Sequence, residues 1–396
     1  MTPESLELSY NQFLTEPIKQ FDPTLKKYKI SFCTVCMNRT EHLKLTLPRN
    51  IRENLHYGNL EFLVLDYNST DGLEEWIETE MKEYIDKGIL HYYKTTEPEY
   101  FHRSHSRNMI MQKATGDIIC NVDADNYLEK FFASYINQHF HQNPYIIMGL
   151  HVTKQAHHSQ AHGRICAWRE DFIKVTGYDE SMENYGYEDV DLCNRLELLG
   201  RKKVAIDELF LNYIRHGNKE RNSNEPLLRR LEKFLIWYID KNKTEVLMLN
   251  KDFNFEIINI KMPTKPSFFH TIATLDDSSS STGQWRNEGQ DIVLTHSNGK
   301  TEKLIFQNLQ DEVSYSTEVS SSKINLPFFS SEKKSKKFVH ITHEIFVENF
   351  ILGLSKIMNL HKLKKNAHSK AIAVNKNPIG QGEVYKNFEH RKRMTA

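Results

Sequence analysis

The sequence predicts an α/β protein, a mostly parallel sheet flanked by helices, with a smaller β-rich and helical module at its C-terminal end. Three observations predict it. Short apolar, β-rich runs alternate with amphipathic helical runs over the first ~120 residues, the pattern of parallel βαβ units. Each apolar run stops at a polar cluster, where ligands of such sheets bind. After about Lys251 the chain changes to alternating strands, a serine run and a Lys-rich end.

Residues 1–28 read as a lead-in. Tyr28–Val35 (YKISFCTV) is a buried strand. Asn38–Asn54 has the helical spacing of Leu43, Leu47 and Ile51. Leu60–Leu65 (LEFLVL) is a second buried strand, stopped by Asp66-Tyr67-Asn68-Ser69. Leu73–Ile85 is an amphipathic helix, Ile89–Tyr93 a third strand, and His105–Ala114 a helix closed by Thr115-Gly116. Asp117–Val122 and Tyr145–Leu150 are further strands, followed by a His-rich loop, His151–His162. An acidic segment, Glu183–Asp191, leads into a helix over Asp191–Leu199, and Pro226–Tyr238 reads as another amphipathic helix. Ser278–Ser281 marks a linker or exposed turn. Gln284–Thr295 and Lys300–Gln307 alternate like strands joined across Asn298-Gly299, a hairpin signal, with Trp285 packed between them. The Lys-rich end holds one apolar helical stretch, Ile345–Leu360.

Composition narrows the function. At roughly 100–200 residues per domain, 396 residues leave room for two domains or three. Lys+Arg and Asp+Glu are both 52, so net charge gives no steering toward nucleic acid. Met1–Phe21 has no basic start or apolar run, and no stretch of about 20 apolar residues exists to span a bilayer. The five cysteines, Cys33, Cys36, Cys120, Cys166 and Cys193, are odd in number and lie in apolar runs, as reduced core thiols of a cytosolic protein do. Cys33 and Cys36 also have C-x-x-C spacing, which leaves a redox or zinc reading beside the core one.

Three constellations carry chemistry. Asp123-Ala124-Asp125 directly follows an apolar strand, so both carboxylates can turn toward a cation; hard divalent ions take oxygen ligands and keep positions for phosphate oxygens. The alternative is a solvated acidic turn. Glu188-Asp189-Val190-Asp191 follows Tyr185-Gly186-Tyr187; it reads either as an acidic helix start or as the source of a general base for a hydroxyl. His216, in Tyr213-Ile214-Arg215-His216, is either structural or a ligand suited to Mn²⁺. His157, His158 and His162 have no nearby acid and read as a polar loop.

These pieces, taken together, resemble a known family. VCMNRTEHL at Val35–Leu43, FLVLDYNSTDG at Phe62–Gly72 and SRNMIMQKATGDIICNVDADN at Ser106–Asn126 resemble the nucleotide-binding half of family-two GT-A glycosyltransferases. NYGYEDVDLCNRLELLGRK at Asn184–Lys202 and YIRHGNKERNSNEP at Tyr213–Pro226 resemble the catalytic half of β-1,4-galactosyltransferases and bacterial chondroitin-polymerase-type enzymes. The ordered set covers roughly residues 29–240. The resemblance implies the Rossmann-like GT-A fold over residues 29–262; the shift in composition beyond it reads as a small β module at 263–330 and a basic helical tail at 331–396.

It also implies the site. Asp66 would contact the uracil or ribose, and Arg39, Arg107, Tyr185 and Gly186 would join donor binding. Asp123 and Asp125 would form the D-x-D, with His216 completing a Mn²⁺ (or Mg²⁺) site. Asp189 would be the base, and Glu188 would bind donor or acceptor hydroxyls. Two positions depart from the family: Tyr67 stands where a second acid is usual, and Tyr185 where Trp is common. The expected activity is inverting transfer of a galacto-type sugar from a UDP-sugar to a glycan or lipid-linked acceptor, forming a β-linkage. A sugar nucleotidyltransferase should open with a Gly-rich loop, and Val35–Arg39 has no glycine. A binding or scaffold protein on a degenerate transferase fold is the non-enzyme alternative. The expected location is cytoplasmic. Residues beyond about 265 are expected to be dispensable for sugar–nucleotide chemistry, and the basic patches Lys333–Lys337 and Arg391–Arg393 are expected to favour an anionic membrane surface.

Overall fold

The computed structural model describes residues 21–149, 161, 163–217, 224–240, 243–261, 274–275, 280–289, 291–308, 337–376 and 378–390. His157, His158, His162, Ser278, Lys333–Lys336 and Arg391–Arg393 lie outside the described residues. Two compact units are present. The first comprises Met1–Glu180, Glu188–Arg215 and Asn366–Ala396; the second comprises Ser181–Tyr187 and His216–Lys365.

The first unit opens with β1 (Ile30–Cys36), whose seven residues are all buried because helices cover both faces of its sheet. Helix α1 (Thr40–Asn54) buries Leu43, Leu47 and Ile51 on one stripe. Strand β2 (Leu60–Tyr67) follows. The helix expected over Leu73–Ile85 is split at Met81 into α2 (Leu73–Glu80) and α3 (Lys82–Asp86). Then come β3 (Leu90–Thr95), α4 (Arg103–Met111), β4 (Ile118–Asn121), α5 (Phe132–Gln142), β5 (Ile146–Gly149), β6 (Cys166–Trp168), α6 (Arg169–Lys174), α7 (Glu188–Leu198) and β7 (Lys202–Ala205). Strand β1 pairs in parallel with β2 on one side and β4 on the other, and β2 with β3. Strand β6 runs antiparallel between β4 and β5. The sheet therefore changes direction of growth between β1 and β4, the switch point outside which ligands of open α/β sheets bind. Cys36 faces one side of this sheet and Cys33 the other, each in a different core cluster, so the pair shares neither a metal nor a disulfide.

The second unit is mainly a small barrel. Its elements are α8 (Pro226–Arg230), β8 (Leu231–Asp240), β9 (Lys243–Asn250), β10 (Asn254–Lys261), β11 (Thr274–Leu275), β12 (Ser281–Glu288), β13 (Asp291–His296), β14 (Thr301–Asn308), β15 (Lys337–His340) and α9 (Glu344–Ser369). The strands run β10-β12-β13-β14-β15-β8-β9, and β9 pairs with β10 as well, so the sheet closes on itself. Inside lie Leu235, Leu247, Leu249, Phe255, Leu294 and Trp285, the last only 5% exposed. On the outer face Phe234, Ile236, Val246 and Met248 meet Phe346, Phe350 and Leu354 of α9. The Asn298-Gly299 turn joins β13 to β14, with Gly299 at φ +84°.

Two expectations are corrected here. Pro226–Tyr238 is helical only to Arg230. Both faces of β8 are buried, so its apolar run lacks the alternation that marks a half-exposed strand. The apolar stretch Ile345–Leu360 is helical, but its buried face is consumed by the barrel. No helix among the described residues is long and apolar enough to cross a membrane.

The structure also draws the domain boundaries elsewhere. The second sheet begins at Leu231, before residue 262, and the end of the chain returns to the first unit. A final strand, β16 (Tyr385–Lys386), pairs antiparallel with β3. Phe388 stacks on Tyr92 at 5.1 Å, and Asn387 exchanges two hydrogen bonds with the Tyr92 backbone. Ile379 is buried in the core cluster beside α4. Gln112 Nε2 donates to the Ile379 carbonyl, and the Gly380 amide donates to Glu180 Oε1 at 2.6 Å. Residues 371–390 thus form a strap held largely by backbone and amide groups, not a free basic tail.

Gly380 allows this close approach. It has φ +54°, and a Cβ there would lie 2.4 Å from the Met109 amide nitrogen. Gly380→Ala should therefore lower the free energy of unfolding by about 1–3 kcal/mol, as overpacking does. Urea denaturation of the full chain checks this; an unchanged midpoint would mean the strap does not bear on the stability of the unit.

Candidate active site

Four charged side chains converge at the carboxyl end of the first sheet. Arg107, on the second turn of α4, is 4% exposed. Its Nη2 donates to Asp123 Oδ1 at 3.0 Å. Its Nη1 donates to Asp189 Oδ1 at 2.8 Å and to Glu188 Oε1 at 3.2 Å. Asp123 comes from the loop after β4, and the other two acids open α7, where a helix N-terminus favours negative charge. One guanidinium therefore links the two halves of the motif set.

The electrostatics follow from one cation facing three carboxylates. Burial pushes the Asp189 carboxyl up to about 8; Glu188 and Asp123 push the same way, and Arg107 opposes them. Burial alone would lower the Arg107 pKa, but Asp189 and Asp123 hold it well above the usual value. Glu188 is 3% exposed, and its Oε2 has no hydrogen-bond partner.

The D-x-D loop is fixed from several directions. Thr46 Oγ1 on α1 donates to the Ala124 carbonyl at 2.7 Å. Asn50 Nδ2 donates to the Asn126 carbonyl at 2.9 Å, and Asn50 Oδ1 accepts from the Leu128 amide at 2.8 Å. The Ile214 amide donates to the Asp125 carbonyl at 2.8 Å. Fully buried Arg164 donates to Asn126 Oδ1 at 2.9 Å and to the Tyr127 carbonyl at 3.0 Å. Asn121 Nδ2 bridges Asp123 Oδ1 and the Gly163 carbonyl at 3.1 and 2.8 Å. Gly163 must lack a side chain, because a Cβ would sit 2.5 Å from Asp123 Oδ2. Asp123 and Asp125 remain partly exposed, and Asp125 Oδ1 accepts from Asn126 Nδ2 at 2.7 Å.

The structure brings Arg107, Asp123, Glu188 and Asp189 together, but not every expected residue joins them. Asp66 is 0% exposed, and both its oxygens are taken: Oδ1 by the Ser69 amide at 2.7 Å, Oδ2 by Tyr92 Oη at 2.8 Å. Burial raises its pKa. Asp66 thereby shapes the turn after β2. Tyr67 packs in the core and its Oη pairs with His105 Nδ1 at 2.8 Å. Arg39 is half-buried beside His42, its Nη1 3.3 Å from Nδ1. The loops after β1 and β2 are tied together by Thr40, whose amide and hydroxyl donate to Asp71 at 2.8 and 2.6 Å.

Tyr185, Gly186 and His216 belong to the second unit. There Asn359 Nδ2 donates to the Asn184 and Gly186 carbonyls at 2.7 and 2.9 Å, and Lys356 lies 5.5 Å from the Tyr185 ring centroid. Gly186 has φ +99°, the unusual backbone its sequence position suggested. Among the described residues no group of three or more His, Cys, Asp or Glu gathers as a metal cage. Sequence reasoning missed Gly163, Asn121 and Tyr178. The signal for the last was Gly177-Tyr178-Asp179-Glu180 just ahead of the acidic run.

Comparison with known proteins bears on the same residues. Three solved structures illustrate the likeness. Mannosyltransferase PcManGT from Pyrobaculum calidifontis, in complex with GDP-Man and Mn²⁺, has a TM-score of 0.40 at 19% identity, over 51% of this chain and 62% of its own. S. aureus TarS gives 0.39 at 14% identity, over 48% and 61%. A mutant Drosophila β-1,4-galactosyltransferase 7 with manganese, UDP-Gal and xylobiose gives 0.35 at 14%, over 50% and 75%. The chain thus spans about three fifths of the length of the first two. No curated protein matches it. Residues 31–191 match the profile described as Glycosyl transferase family 2, and that segment holds Arg107, Asp123, Asp125, Glu188 and Asp189.

Proposed function

We propose that the chain is a metal-dependent, inverting GT-A glycosyltransferase that moves a galacto-type sugar from a UDP-sugar to a hydroxyl of a glycan or lipid-linked glycan, forming a β-linkage. The observation that carries the proposal is the buried Arg107 guanidinium shared by Asp123 and the Glu188–Asp189 pair, at the switch point of the sheet. The family profile over residues 31–191 supports the same reaction class.

The donor set suits a hard divalent ion. Asp123 and Asp125 offer carboxylate oxygens that are neither fully buried nor caged, which leaves coordination positions for diphosphate oxygens. Mn²⁺ or Mg²⁺ held there would neutralise charge on the departing diphosphate. His216 enters this proposal on its sequence motif alone.

The protein's own groups divide the remaining work. Arg107 provides a fixed positive charge beside the leaving group and orients Asp189. Asp189 takes the proton of the acceptor hydroxyl as its oxygen bonds to the anomeric carbon. The bond from that carbon to the diphosphate breaks on the opposite face, releasing UDP and inverting the centre. Glu188, with one oxygen on Arg107 and the other unpartnered, is set to accept a hydrogen bond from a sugar hydroxyl.

Asp125→Ala should abolish metal-dependent UDP binding; titration calorimetry with Mn²⁺ and with EDTA checks it, and equal UDP affinity in both would remove the metal from the proposal. Asp189→Asn should leave donor binding intact while lowering turnover about 10²–10⁴-fold, the usual loss for a positioned base. Near-native turnover in that variant would shift the role to Glu188.

A base works deprotonated, and Asp189 is raised to about 8 in the free protein. kcat/KM should therefore rise with pH up to about 8 and then level off. A profile already flat from pH 6 upward would contradict that assignment. The raised pKa also fixes the sign for stability. Against Asp189→Asn, the native carboxyl costs stability as pH rises from its unfolded value toward about 8.

A further inference from the structure

Tyr178 has no part in the reaction described above, yet it is built into the site. It is 0% exposed, and the Arg107 guanidinium carbon lies 5.2 Å from its ring centroid. Its hydroxyl is buried without a hydrogen-bond partner, so the phenol is not retained for a bond it makes. The ring face is what meets the cation.

The backbone that carries the ring is held unusually firmly. Asn108, next to Arg107 on α4, accepts from the Tyr178 amide at 2.8 Å and donates to its carbonyl at 2.9 Å. Thr176 and Gly177 both have positive φ, +58° and +67°, and a Cβ on Gly177 would meet Asn108 Oδ1 at 2.3 Å. The C-terminal strap locks the same turn from the other side. Asn375 Nδ2 donates to the Thr176 carbonyl at 2.7 Å and the Tyr178 carbonyl at 2.5 Å. Asn375 Oδ1 accepts from the Glu180 amide at 2.9 Å. The Val374 and Asn375 amides both donate to Thr176 Oγ1, at 3.0 and 3.1 Å.

We propose that Tyr178 is a positioning residue for Arg107, and that Asn375 of the C-terminal strap holds Tyr178 in place. The ring packs against the guanidinium and restrains it, so that its donors stay aimed at Asp123, Glu188 and Asp189. The strap, distant in sequence, thereby becomes part of the transfer site. The proposal deepens the transferase reading and rests on it for its kinetic arm, so the test has two arms.

The kinetic arm measures turnover of UDP-galactose with Mn²⁺ by the full-length chain. Tyr178→Leu should lower kcat about tenfold, the scale of a desolvated cation–π contact, and Tyr178→Phe, which keeps the ring, should restore it. Asn375→Ala should lower kcat about threefold to tenfold, as loss of amide hydrogen bonds does. In an Arg107→Met background, Tyr178→Leu should lower kcat no further; a residue of merely structural value would lower it again.

The second arm needs no activity. Urea unfolding of the native chain, Tyr178→Leu, Arg107→Met and the double variant forms a cycle. The two substitutions should be non-additive, with a coupling of about tenfold in the unfolding constant. Additive effects would overturn the proposal, as would a Tyr178→Phe variant no better than Tyr178→Leu. Should Tyr178→Leu not fold, the Tyr178→Phe and Asn375→Ala variants carry both arms: a tenfold loss on Tyr178→Phe, or full activity of Asn375→Ala, would overturn it. If native protein with Mn²⁺ leaves every UDP-sugar untouched, the transferase reading falls, and the unfolding cycle alone decides the role of Tyr178.

Discussion

The buried guanidinium of Arg107 is the interaction on which the rest of the site depends. A cation so deeply buried is stable only with its charge matched and its donors directed. The three carboxylates do the matching, Asp123 from the loop after β4 and Glu188 and Asp189 from the start of α7. If the guanidinium were lost, the acids would face one another without a counter-charge and could not all stay ionised. The constraint works in both directions: the acids keep Arg107 charged, and Arg107 keeps the α7 acids beside the D-x-D loop. The many hydrogen bonds that fix that loop, from Thr46, Asn50, Asn121 and Arg164, hold one end of this arrangement still.

The site also shows how a fold can supply charge without a permanent ligand. One positive group among three negative ones leaves a deficit that either a proton or a metal cation can fill. Burial raises the Asp189 carboxyl most, and the neighbouring acids add to it, so Asp189 is the one that takes the proton in the free protein. A divalent ion and an anionic donor arriving together would change that balance, making the base available when substrate is present.

Much of this was legible in the sequence, and the exceptions have physical causes. Strands β1, β2 and β4 are covered on both faces and so read as unbroken apolar runs. The Asn298-Gly299 turn announces its hairpin because few other residue pairs fit that backbone. The paired acids at residues 123–125 and 188–191 were recognisable by type and position. Strand β8 was taken for helix because inward and outward positions are equally apolar, which erases the period of two. The burial of Asp66 was not legible, because it depends on Tyr92 and Ser69, and pairwise partners cannot be read from a single strand. The strap was hidden for another reason. Its anchors are Asn375, Gly380 and Asn387, and backbone amides as acceptors or donors leave no apolar periodicity to find.

The pairing of β16 with β3 has a consequence for how the molecule is made. Tyr385 meets Lys94, partners about three quarters of the sequence apart, so the first unit is closed by a very long-range contact. Contacts of that range close late, since their loop entropy must be met before they gain anything. During synthesis the N-terminal strands emerge before the strap, with the whole barrel produced in between. The first unit can gather its sheet early, but it lacks its edge strand, its buried Ile379 and its lock on Tyr178 until residues 374–387 have been made. Completion of the site thus waits on a segment made after the whole barrel, and a product terminated before residue 371, however well its sheet had formed, would lack it.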